Sequence, residues 1–204
     1  MSNAATIIAD LAAGNRRFLD GQSLTRSQDS LEKLKTYARV GQTPKAVILC
    51  CSDSRAPVEM IFDQDIGDLF VIRVAGNIIA PSLVGSVEFA AETFGTRLVL
   101  VMGHSQCGAV GATLDHIEHA EIPRSENIHD IVSRIKPHIF AIAAIKDIPR
   151  GEKMNRAVEA NVRASVGQLA HASRMIESLT MQGKIEIRGA VLDLSTGRVV
   201  FLDP

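Results

Sequence analysis

The chain has 204 residues, 46% of them hydrophobic and 22% charged, with a formal net charge of -1. That length is read as one domain, residues 1–204, able to bury roughly 70% of its unfolded surface. The near-zero charge leaves no electrostatic case for nucleic acid or an anionic membrane as partner, and no apolar run approaches the ~20 residues that span a bilayer.

In chain order, residues 7–19 read as an amphipathic helix ending near Gly21, and 31–40 as a second helix with Ser30 as N-cap and Gly41 past its end. A first strand covers 45–51. Pro57 opens a short helical segment, 68–74 reads as a second strand, and 82–94 has helical spacing that stops at Gly95. A third strand, 97–102, leads through a loop into a helix from about Cys107. Helical spacing then fills 128–179, broken near 149–151. The tail, 184–192 and 198–202 around Ser195-Thr196-Gly197, reads as a strand pair joined by a turn. Alternating strands and helices predict an α/β fold: a mostly parallel central β-sheet with flanking helices, extra N-terminal helices and a C-terminal strand pair. In such sheets ligands bind outside the carboxyl ends of the strands, near a topological switch point.

Three cysteines are too few for a disulfide framework in a chain of this length. The N-terminal residues lack the basic start and apolar core of a signal peptide, so the expected address is cytoplasmic. With no Trp and a single Tyr, Tyr37, a stacking surface for single-stranded nucleic acid is not expected.

Chemistry concentrates at two strand ends. Cys51 opens Cys51-Ser52-Asp53-Ser54-Arg55, and His104 and Cys107 follow in Gly103-His104-Ser105-Gln106-Cys107-Gly108. Two thiolates and one imidazole form a zinc site with one coordination position open, which is how catalytic zinc is held. Successive strand residues point to opposite faces, so Cys51 is the ligand and Cys50 a small buried hydrophobe. The three-residue spacing of His104 and Cys107 suits side chains sharing a face where a loop enters a helix. A helix N-terminus there also favours the Cys107 thiolate.

Taken singly, two buried cysteines and a core histidine are the plainer reading; taken together, at two strand ends, they are not. The Gly103-x-x-x-x-Gly108 spacing lacks the Lys and Ser/Thr of a phosphate loop. Asp53 and Arg55 supply a second layer. A carboxylate beside a zinc-bound water accepts its hydrogen bond and orients it, and the arginine keeps that carboxylate ionised. The same Asp53 can swing onto the metal and displace the water. His116 and His119, beside Asp115 and Glu118, read as a solvated helix face; His129, His138 and His171 show no partner pattern.

These residues together resemble the β-class carbonic anhydrases. The resemblance rests on Cys51-x-Asp53-x-Arg55 and His104-x-x-Cys107-Gly108, with Arg73-Val74-Ala75-Gly76-Asn77 between them, and it extends from Gly14-Asn15-Arg16-Arg17-Phe18 to the terminal strands. It implies one zinc per chain on Cys51, His104 and Cys107, with Asp53 and Arg55 as catalytic dyad. It further implies substrate-pocket roles for Gln42, Phe70, Ala75, Phe89 and Gly108. The family forms dimers or assemblies of dimers, with parts of the pocket coming from the partner subunit, so a homodimer or tetramer is expected. Plant-like members carry a pocket Tyr, and a His one turn later, where this chain has Phe89 and Thr93, which leaves the proton route open. A bicarbonate site built with Trp, used by some bacterial members, has no counterpart here.

The implied reaction is reversible hydration of carbon dioxide to bicarbonate and a proton through a zinc-bound hydroxide. Two rivals share the ligands. One is a hydrolase of carbon disulfide or carbonyl sulfide on the same scaffold, and the other a non-catalytic zinc or thiol sensor, which would need neither the dyad nor the open position.

Overall fold

The computed structural model describes residues 3–24 and 29–203, so both termini of the expected 1–204 unit lie outside the described residues. A five-stranded sheet runs in the order β2-β1-β3-β4-β5, with β1 Ala46–Cys50, β2 Leu69–Arg73, β3 Leu98–His104, β4 Glu186–Leu192 and β5 Val199–Phe201. The first four strands are parallel, and β5 turns back antiparallel on β4. The expected α/β architecture and C-terminal strand pair are both present.

Every residue of β1 and β3 is buried, as in a parallel sheet covered on both faces. Side chains alternate between two layers. Ile48, Leu100 and Met102 face Ile7 and Leu11 of α1 (Ala4–Leu19) and Val58 and Ile61 of α3 (Val58–Ile61). Val47, Leu49, Val99 and Val101 face Val87 of α4 (Pro81–Phe94), Val162 and Leu169 of α7 (Arg150–Ala170) and Ile176 of α8 (Arg174–Met181). A third cluster, at the carboxyl ends of the strands, joins Cys51 and Cys107 to Val110 and Leu114 of α5 (Gly108–His119), and to Ile135 and Ile139 of α6 (Glu126–Ala143).

The first helix is tied down by one polar side chain. Asn15 donates through Nδ2 to the carbonyls of Ile61 and Gly197, at 3.1 and 3.0 Å, and its Oδ1 accepts from the Val199 N–H at 2.9 Å. Its neighbour Gly14 is required because a Cβ there would sit 1.8 Å from the Phe62 carbonyl oxygen.

Several boundaries differ from the sequence reading, beginning with α1, which starts at Ala4 rather than residue 7. The second helix, α2 (Ser30–Val40), begins at Ser30 and its cap position is Asp29, one residue earlier than expected. The third strand continues to His104, because its last two residues pair with Val191 and Leu192 of β4. The stretch 128–179 is three helices rather than two: a second break falls at 171–173, where Ser173 accepts a hydrogen bond from the Ile176 N–H and restarts the chain as α8. The helix after the third strand starts at Gly108, with Cys107 in the cap position.

After β1 the chain crosses to β2 on one side, and then returns past β1 to β3 on the other. The connections therefore diverge between β1 and β3, opening a crevice at their carboxyl ends. Cys51 is the first residue beyond β1 and His104 the last of β3.

Candidate metal centre

Ligand-type atoms of Cys51, His104 and Cys107 lie within 4.8 Å of one another, and all three residues are buried. The sheet register brings this about, since Cys50 pairs with Met102 and Cys51 therefore emerges beside the end of β3. His104 and Cys107 do not meet as neighbours on one helical face, as their spacing suggested. They converge across a tight turn in which Gln106 takes a left-handed φ of 55°, after which Cys107 caps α5 with an extended backbone. Ser105 pins the turn: its N–H donates to the Leu192 carbonyl at 2.8 Å, and its hydroxyl accepts from the Leu194 N–H at 2.9 Å.

The donor set fits zinc. His104 Nδ1 lies 2.9 Å from the Ser105 carbonyl, which fixes the proton on Nδ1. That leaves the lone pair of Nε2, a buried atom with no hydrogen-bond partner, facing the two sulfurs. The thiols share one easily lost proton. The Cys107 thiol beside it, together with the Gly76 and Asp53 N–H groups, brings Cys51 well below the usual thiol range against its own desolvation, whereas the Cys51 thiolate and burial push Cys107 upward. A divalent soft-ligand cation relieves that conflict by neutralising both thiolates at once. Cys50, one residue earlier, lies in the layer under α1 and α3, where desolvation pushes its thiol up to about 12. It is a packing residue.

Asp53 and Arg55 stand at the rim. Arg55 donates from Nε to Asp53 Oδ1 at 2.9 Å and from Nη2 to Oδ2 at 2.7 Å, and its backbone N–H adds a third bond to Oδ1 at 2.9 Å. This fork holds the carboxyl far below the usual carboxylate range. Arg55 Nη2 also reaches the Gln106 carbonyl at 3.4 Å, tying the two ligand loops together. From β2, Arg73 donates to the carbonyls of Cys51 and Asp53 at 3.1 and 2.6 Å, bracing the first ligand loop.

A family model described as carbonic anhydrase matches residues 46–199. The chain belongs to the carbonic anhydrase family. A carbonic anhydrase of Mycolicibacterium smegmatis is 36% identical over 201 residues, covering 97% of this chain and 93% of that protein. Carbonic anhydrase 2 of Mycobacterium tuberculosis is 35% identical over 196 residues, covering 95% and 90%. The fold is that of the β class. A solved tetrameric β-carbonic anhydrase from the ascomycete Sordaria macrospora superposes with a TM-score of 0.73, covering 98% of each chain at 24% identity. With the family shown, this carbonic anhydrase is a zinc enzyme that hydrates carbon dioxide.

The expected pocket residues divide into two groups. Ala75 lies in a 3-10 turn (Ala75–Asn77) whose Gly76 N–H points at the Cys51 sulfur from 3.4 Å, and Gly108 opens α5 directly after Cys107. Beside them a cavity of about 670 Å3 is lined by Gln106, Cys107, Gly108, Ile122, Val132 and Met154, among others. Gln42, Phe70 and Phe89 are not brought to this centre within the chain. Gln42 is exposed ahead of β1, at the opposite end of the sheet, and Phe70 pairs with Val47, about 13 Å short of Cys51 along the strand. Phe89, on α4, joins Phe70 and Phe94 in an aromatic trio with ring centroids 5.7–6.2 Å apart.

The histidine pair on α5 has other partners. His116 Nδ1 lies 2.7 Å from the Glu121 carbonyl, and its Nε2 faces Lys136. Asp115, Glu118 and His119 form a second close group, but Arg150 pairs with both carboxylates and Lys153 with Glu118, so the charge that would attract a cation is already neutralised. Sequence reasoning missed Ser105 and two buried polar residues of α7, Asn161 and Ser165. The signal for the last two was present, since they share a helical stripe with the apolar Val158, Val162 and Leu169.

Proposed function

We propose that Cys51, His104 and Cys107 hold the zinc of this carbonic anhydrase, one ion per chain, with Asp53 and Arg55 as the catalytic dyad, and that residues 1–204 act as a single catalytic domain. The supporting observation is the convergence of three soft donors within 4.8 Å beside a carboxylate engaged by its own arginine. Zinc held there supplies the Lewis acidity that makes water nucleophilic at modest pH.

The chain's residues do the rest. Asp53 Oδ2, 3.7 Å from His104 Nε2, accepts a hydrogen bond from the attacking water and aims its lone pair at the carbon. Arg55 holds that carboxylate in one rotamer and ionised. As the new carbon–oxygen bond forms, one carbonyl π pair moves onto its oxygen, and the water proton passes outward. Ala75 and Gly108 leave room for a small uncharged substrate next to the metal.

Gln42, Phe70 and Phe89 act at the centre of a neighbouring copy. Their position at the far end of the sheet from Cys51 supports a homodimer, or a tetramer of paired dimers, in which Gln42 donates a hydrogen bond to a substrate oxygen and the phenylalanines line an apolar wall. A cytoplasmic address accords with three free thiols, and no helix among the described residues is long and apolar enough to cross a membrane. Neither the sensor nor the carbon disulfide hydrolase is favoured: a sensor has no use for the Asp53–Arg55 fork.

Metal analysis and stopped-flow hydration on wild type and Cys107→Ser test the assignment. Wild type should carry one zinc per chain and hydrate carbon dioxide, and the variant should lose both. A variant that kept its zinc would remove Cys107 from the ligand set.

A further inference from the structure

We propose that Asn161 of α7 is a positioning residue for the metal centre: by holding the Gly76–Asn77 turn, it aims the Gly76 N–H at the Cys51 sulfur. The proposal rests on the reading of Cys51 as a zinc ligand.

The turn is conformationally unusual. Gly76 has φ 69° and ψ 18°, and Asn77 follows with φ 43°, so two successive residues occupy the left-handed region. Such a turn persists only where its surroundings fix it. Within the turn, one backbone bond does so, from the Asn77 N–H to the Val74 carbonyl at 3.1 Å. The Asn77 side chain adds no donor bond, since its buried Nδ2 has no partner. Two side chains from α7 complete the anchoring: Asn161 Nδ2 donates to the Gly76 carbonyl at 2.8 Å, and Ser165 Oγ to the Asn77 carbonyl at 3.1 Å. Both residues are 1% exposed, so neither bond is shared with solvent.

Packing places α7 for this task. A Cβ on Gly103 would lie 2.6 Å from Val162 Cγ2, so only glycine at that point of β3 lets the helix come this close to the sheet. Asn161, next to Val162, then reaches the turn at the strand ends. Without its bond the Gly76 carbonyl is a buried acceptor left unpaired, and the peptide on either side of this glycine is free to rotate. The 3.4 Å hydrogen bond from the Gly76 N–H to Cys51 would be the first to break. A donor to a metal-bound thiolate tempers its charge and fixes its direction, and outer partners of this kind typically alter metal affinity 10- to 100-fold.

The test measures metal binding and its spectrum rather than turnover. Apo protein is titrated with Co(II) and Zn(II) against a competing chelator for wild type, Asn161→Ala, Ser165→Ala and Leu169→Ala. Leu169 is buried on the same helix away from the turn, so its truncation lowers stability without touching the anchor. Asn161→Ala should weaken zinc about 10-fold or more and move the thiolate-to-Co(II) charge-transfer band to longer wavelength. Ser165→Ala, a smaller lesion that keeps the fold, should do the same to a lesser degree, whereas Leu169→Ala should leave the band in place. A wild-type band and affinity in both Asn161→Ala and Ser165→Ala, or a band shift in Leu169→Ala equal to theirs, would overturn the proposal. Wild type that binds Co(II) without any thiolate charge-transfer band would instead overturn the ligand assignment beneath it.

Discussion

Asp53 Oδ2 stands 3.7 Å from His104 Nε2 while the same oxygen accepts a 2.7 Å bond from Arg55 Nη2. One carboxylate thus faces the metal centre and is restrained from entering it. Arg55 decides the balance, because rotation of Asp53 towards the ligands would break two side-chain bonds and leave the guanidinium with only the Gln106 carbonyl. Arg55→Ala should therefore lower hydration about 10- to 100-fold while zinc content stays at one per chain. Replacement by Lys should recover only part of this, since an ammonium cannot present the two-pronged fork. Full activity in Arg55→Ala would remove the restraint from the account.

The pH profile separates Asp53 from the metal. The folded-state pKa of Asp53 is depressed, chiefly by Arg55, so its contribution to stability is fully present above the unfolded value of about 3.9 and is lost as pH falls through the lower folded value. Asp53 is accordingly ionised throughout the range from about pH 6 to 9 and cannot produce an inflection there. Two thiolate ligands leave the metal less acidic than three histidines would, so hydration should rise towards alkaline pH in a single step. Arg55→Ala should lower the curve without moving its midpoint. A flat profile across this range, or a midpoint moved by a whole unit in that variant, would contradict the assignment.

The proposed sharing of a pocket between two copies is testable by complementation. A Cys107→Ser subunit should lack zinc but keeps Gln42, whereas a Gln42→Ala subunit should keep zinc and lacks the amide. If Gln42 serves the neighbouring centre, a mixed dimer contains one complete site. Co-expressed subunits should then show more activity than either variant alone, and the purified homodimers should not. Activity no greater than the average of the two homodimers would confine each pocket to its own chain.

Asn15 offers a test of the fold away from the centre. It is 4% exposed and satisfies two carbonyls and one N–H from two distant parts of the chain, Ile61 and the 197–199 segment. Asn15→Ala should cost about 2 to 4 kcal/mol in denaturant unfolding, because three buried groups lose their partner together. Zinc stoichiometry in the folded fraction should not change. A loss under about 0.5 kcal/mol would mean that water replaces the side chain there.

The three candidate ligands were legible because Cys51 follows one apolar run, His104 ends another and Cys107 lies three residues beyond it, and a parallel sheet collects such ends along one edge. What the spacing of His104 and Cys107 misrepresented was the geometry joining them. A left-handed Gln106 and a capping Cys107 leave no helical period to detect. The distance from Gln42 and Phe70 to the chain's own centre becomes visible only through strand register, which pairs Phe70 with Val47. The break before α8 escaped notice because 171–173 contains neither Gly nor Pro, and Ser173 reads as one more polar helix position until its cap bond is seen. Asn161 and Ser165 were detectable as polar residues on an apolar stripe. Their target, a turn 85 and 88 residues earlier in sequence, was not.

The central claim is that Asp53 works on water at a zinc held by other residues. Stopped-flow hydration of carbon dioxide by Asp53→Ala, with zinc measured on the same sample, tests it most directly. The account predicts one zinc per chain, as in wild type, with hydration reduced at least about 100-fold. Wild-type hydration by the zinc-loaded variant, or loss of the metal along with the carboxylate, would contradict it.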